Sequence, residues 1–62
     1  MFLIVGAVKV EPDSAERRND LAVLLANMGR YEEAEFSLRQ ALLLDPGHRM
    51  ARRNLEAVIQ VR

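Results

Sequence analysis

The sequence predicts an all-α chain of four antiparallel helices, and three observations predict it. Apolar residues recur at spacings of three, four and seven through residues 21–44, the rhythm of a helical face rather than of a strand. Gly29 and Pro46 stand where such helices would have to stop. Finally, residues 1–12 can be laid on residues 35–46 without a gap, at a constant step of 34 positions. A chain that repeats itself at that interval is a stack of similar helical units.

The first element is residues 1–11. The 34-residue step pairs Phe2 with Phe36, Ile4 with Leu38, Ala7 with Ala41, Val8 with Leu42 and Pro12 with Pro46. Read through that register, the segment is a helix of the same kind as the one that ends at Pro46. Gly6 and the β-branched Ile4, Val5, Val8 and Val10 would suit a strand equally well. Helix is the reading carried forward, because the register is continuous and a lone strand has no visible partner.

The second element opens after Pro12, with Asp13 or Ser14 as its N-cap, and carries Leu21, Leu24, Leu25 and Met28 as the stripe to be buried. A tight turn at residues 28–31 follows. The third element bears Ala34, Leu38, Ala41 and Leu42 on one face, and its acidic start at Glu32, Glu33 and Glu35 suits the positive end of the helix dipole. The fourth, residues 48–61, begins after Pro46-Gly47. The same step puts Arg52, Leu55, Val58 and Ile59 where Arg18, Leu21, Leu24 and Leu25 stand earlier, with Glu56 falling opposite Ala22.

The residues around the turn resemble the tetratricopeptide repeat (TPR), a helix-turn-helix unit of 34 residues. Leu21 and Ala22 match its first helix; Gly29, Tyr31, Ala34, Leu38, Ala41 and Pro46 match the turn, the second helix and the closing proline. Arg18 and Leu25 depart from it, standing in slots usually held by tryptophan and tyrosine. The resemblance implies an α-solenoid fragment: a TPR-like hairpin flanked on each side by a half-repeat helix. Residues 1–11 would be the second-type helix of a preceding half repeat, 13–46 a complete repeat, and 47–62 a first-type or capping helix.

Composition narrows the function classes. Sixty-two residues allow one domain, and a chain this short buries only about 60% of its unfolded surface. Nine basic residues balance nine acidic ones, so no overall field draws the chain to nucleic acid or to an anionic membrane. The absence of cysteine removes disulfides and thiolate metal sites and leaves the cytoplasm as the default compartment. The apolar run of residues 1–8 is far short of the ~20 residues a membrane helix needs. His48 has no second histidine or paired carboxylate near it in the sequence, and the three glycines are isolated. No catalytic residue, metal or cofactor is therefore expected, and the chain reads as no enzyme.

What the resemblance implies instead is protein–protein contact. First-type helices of the family line a groove for peptides, and its slots fall here on Glu16, Asn19, Val23 and Ala26, then on Met50, Arg53, Ala57 and Gln60, with Asn54 beside them. Members that clamp a peptide carboxylate hold lysine and asparagine where this chain has Asn19 and Val23, so clamping is not expected. The sharper expectation is self-association. Each half repeat at the ends lacks its complement, and arrays need about three repeats for stability. Leu55, Val58 and Ile59 are the expected anchors against Phe2, Ile4 and Val8 of another copy, with Phe36 and Leu43 as further apolar contacts on an outer face. Charge is segregated in support: residues 48–62 carry four arginines against one glutamate, net +3, while residues 11–47 carry eight acids against four arginines, net −4. The expected partner is thus a protein or peptide, foremost a second copy forming a homo-oligomer, with a dimer favoured. The alternative is a peptide-binding module from a longer array.

Overall fold

The computed structural model describes residues 14–62, which form three helices and no strand: α1 (Ala15–Asn27), α2 (Tyr31–Leu44) and α3 (Arg49–Val61). The expected helix over residues 1–11, and with it the four-helix count, lies outside the described residues. α1 packs chiefly on α2, α2 on α3, and α1 touches α3 more lightly. α2 is therefore the middle layer, with α1 and α3 on either side.

Each helix ends for a local reason. Ser14 caps α1, its Oγ accepting from the Arg17 N–H at 3.1 Å. At the other end Gly29 adopts φ +81°, the left-handed conformation that costs an L side chain energy. That geometry lets the Gly29 N–H reach the Ala26 carbonyl and the Arg30 N–H reach the Leu25 carbonyl, both at 2.9 Å. These paired bonds satisfy carbonyls that the helix end would otherwise leave open. α2 stops before Asp45, whose Oδ1 accepts from the Gly47 N–H across Pro46.

α3 begins with an unusual cap. His48 Nδ1 accepts from the Ala51 N–H at 3.1 Å. Ser14 and His48 are 34 positions apart, as are the first residues of α1 and α3, and both helices run for 13 residues. The repeat step read in the sequence is thus a step in space.

The core is built mostly of small residues. Ala22, Ala34, Ala41 and Ala51 are wholly inaccessible, joined by Ala15, Leu25, Leu38 and Val58. Without branched side chains between them, the helix backbones can approach closely and make many dispersion contacts per residue. Leu38 is the one large side chain among the described residues that is fully buried, worth roughly 2 kcal/mol of hydrophobic stabilisation.

One expectation needs correction. Of the predicted α1 stripe, Leu25 is buried, but Leu21, Leu24 and Met28 are about half exposed. The face of α1 that enters the core runs instead through Ala15, Asn19 and Ala22. Close packing selects the side with small residues, and the larger ones are turned toward a flank that no described helix covers.

Gly29 has open space where a Cβ would stand, so only its backbone conformation resists substitution. Gly29→Ala is expected to cost about 1 kcal/mol, and Gly29→Asn less, because asparagine tolerates the left-handed region better. Urea denaturation followed by circular dichroism measures both, and equal stabilities for all three proteins would contradict this account of the turn.

Candidate protein-interaction surfaces

α1 and α3 lie side by side over the middle of α2 and leave a small cleft between them. Val23 and Ala26 come from α1, Asn54 and Ala57 from α3, and Leu38 and Val58 are also part of the lining; the cleft holds ≈ 190 Å³. Four of the predicted groove residues are thus brought together. The other five are placed differently. Met50 and Arg53 are exposed and do not line the cleft, as is Gln60.

Asn19 and Glu16 are committed to holding α1 and α3 in place. Asn19 is buried and accepts a hydrogen bond at 2.9 Å from Nδ2 of half-buried Asn54. Glu16 Oε1 lies 3.1 Å from His48 Nε2. Because Nδ1 of that ring already accepts from Ala51, its proton resides on Nε2 and is donated to the carboxylate. One imidazole therefore caps α3 and ties it to α1. A third tie closes the opposite side: Glu35, near the start of α2, pairs with Arg62 just past α3 at 2.7 Å and also with Arg39.

Sequence reasoning missed these ties. His48 was findable, since the 34-residue step sets it on the capping Ser14. The Asn19–Asn54 and Glu35–Arg62 pairs join unrelated repeat positions and carry no such signal.

The predicted self-association residues divide into three groups. Val58 belongs to the core and Leu55 is half buried against it, whereas Ile59 is exposed. Phe36 and Leu43 are exposed on α2. Phe2, Ile4 and Val8 lie outside the described residues. A shallow groove along the outer side of α3 runs between Leu55 and Ile59 of that helix and Leu42 of α2 with Pro46 just past its end, and Arg52 and Glu56 also line it. A wider groove on the opposite flank lies between α1 and α2, lined by Leu21, Leu25 and Phe36 with Glu32 and Glu33.

Two antiparallel helices with alanine at their crossing, a glycine turn and a further helix 34 positions on already describe one architecture, and the family model described as Tetratricopeptide repeat matches residues 15–48. The chain belongs to the tetratricopeptide repeat family. No curated protein and no solved structure matches it. Membership makes this chain a protein–protein interaction module, and the matched repeat takes in α1 and α2. Among the described residues no helix is long and apolar enough to cross a membrane.

If the two asparagines fix the spacing of α1 and α3, removing one leaves the other short of a partner. Asn54→Ala is expected to destabilise the chain by about 1–2 kcal/mol, because the buried Asn19 oxygen loses its donor. The midpoint of urea unfolding measures this, and a change of only a few tenths of a kcal/mol would mean that water replaces the bond.

Proposed function

We propose that the chain is a non-catalytic scaffold whose first partner is another copy of itself, docked on the uncovered side of α3. One comparison within the molecule carries the reading. Leu25 and Ile59 occupy the same repeat position, yet Leu25 is 9% exposed and Ile59 42%. The difference has a physical cause: α2 packs on α1 and covers Leu25, whereas no described helix covers Ile59.

The same contrast holds for the neighbouring slot, where Ala22 is wholly buried and Glu56 is exposed. Charge supports a second copy as occupant, since residues 48–62 are net +3 and residues 11–47 net −4. Such attraction speeds encounter and is screened by salt.

Ile59→Glu is the direct test, because Ile59 is exposed in the single chain and its replacement leaves the core intact. By light scattering over a concentration series, the parent chain is expected to exceed its monomer mass and the variant to remain a helical monomer. A parent that stays monomeric at all concentrations would overturn the reading.

The cleft between α1 and α3 supports a second reading, a peptide receptor, because it gathers Val23, Ala26, Asn54 and Ala57 beside exposed Arg53. An acidic peptide bound there is expected to lose affinity with added salt and with Arg53→Glu. Titration of a fluorescent acidic peptide at two ionic strengths decides it, and salt-independent binding would discredit the charged contact.

A further inference from the structure

We infer that His48 is a proton-operated cap: when its imidazole takes up a proton, the ring releases the start of α3 and stays on α1. Each ring nitrogen has a separate task. Nδ1 accepts from the Ala51 N–H and Nε2 faces Glu16 Oε1, each at 3.1 Å. Only the neutral ring performs both, because the cap needs the lone pair of Nδ1. The next proton therefore enters at Nδ1, and two N–H groups then point at each other.

The two contacts respond in opposite directions. An imidazolium holds the Glu16 carboxylate more tightly, but that side chain is 70% exposed and water screens the gain. At Ala51 nothing compensates, and a positive ring in the first turn also opposes the helix dipole. The imidazole side chain is only 14% exposed, so the new Nδ1–H reaches water only if the ring turns out of its seat. Protonation thus exchanges partners: the cap is lost and the ion pair remains.

The charges around the ring favour that exchange. On α1, Glu16 touches it, with Arg17 next in the chain. At the end of α2, Asp45 Oδ1 is engaged by the Gly47 N–H. On α3, Arg49 adjoins the ring residue and Arg52 follows one turn on, and both disfavour a further cation at that helix start.

What the ring releases bears on the core. Ala51 is wholly buried, so the cap holds a packed residue in place. Further along, the Asn54–Asn19 bond still ties α3 to α1. In acid, α3 therefore loosens at its first turn and pivots on its middle, which displaces exposed Arg49 and Met50 while Asn54 stays seated. A partner that uses the start of α3 meets a different surface there.

The molecule supplies its own control, since Ser14 caps α1 with a hydroxyl that does not titrate in this range. Solution NMR of the full-length chain, in a pH series from about 7.5 down to about 5, spans the ordinary imidazole range. Ring nitrogen shifts report the protonation of His48, and amide exchange rates divided by their intrinsic values report each cap. As the ring protonates, the Ala51 N–H is expected to lose about fivefold in protection, the usual effect of one lost cap, while the Arg17 N–H holds. His48→Ser, which copies the Ser14 cap, is expected to abolish the difference; Glu16→Gln, which keeps an acceptor without charge, is expected to retain it. An Ala51 amide that stays protected while the ring is protonated overturns the inference, as does a ring that stays neutral until the chain unfolds. A His48→Ser chain that responds to acid like the parent overturns it too, because another group is then the sensor.

Discussion

Backbone proximity is the constraint on which this structure depends. Ala22, Ala34, Ala41 and Ala51 are shut off from solvent, and their smallness decides how near the three helices can lie. Dispersion falls steeply with distance, so packing on alanine gains from many close main-chain neighbours what a larger core gains from side-chain volume. The same geometry dictates which face of each helix turns inward. It explains why α1 presents alanine and asparagine to its neighbours while three of its four large apolar residues stand outside.

Polar side chains then set the angle at which the third helix leans on the pair. Alanine surfaces are smooth and by themselves tolerate sliding. The bond between Asn54 and Asn19 fixes the middle of the α1–α3 contact, the imidazole of His48 fixes one end, and the pairing of Glu35 with Arg62 fixes the outer edge against α2. The exposed members of these pairs contribute little energy. Their geometric role is larger, because each ties α3 or a residue at its end to the hairpin of α1 and α2.

How much of this could be read from residues alone varied with the kind of information required. Gly29, Ser14 and Pro46 act through the chain immediately around them, so their roles as left-handed turn, cap and stop were legible. The alanine positions were legible through the repeat pattern. The burial of Leu21, Leu24 and Met28 was misjudged for a different reason. Periodicity says which residues share a stripe, but which of two adjacent stripes acquires a neighbour depends on the next helix in space. Val58 and Ile59 show the same limit, since consecutive apolar residues went one to the core and one to solvent. Asn19 read as a groove residue because its slot faces the cleft; its burial against Asn54 follows from a register between α1 and α3 that no single helix encodes.

The scarcity of large buried side chains also shapes how the molecule responds to temperature. Unfolding exposes little apolar surface when Leu38 is the only bulky group fully hidden among the described residues, and the heat capacity change scales with that surface. A small heat capacity change flattens the curve of stability against temperature, and a small unfolding enthalpy broadens the melting transition. Such a chain loses its structure gradually as it warms. Any neighbour that covers an exposed flank adds apolar area, and so sharpens the melting transition as well as raising its midpoint.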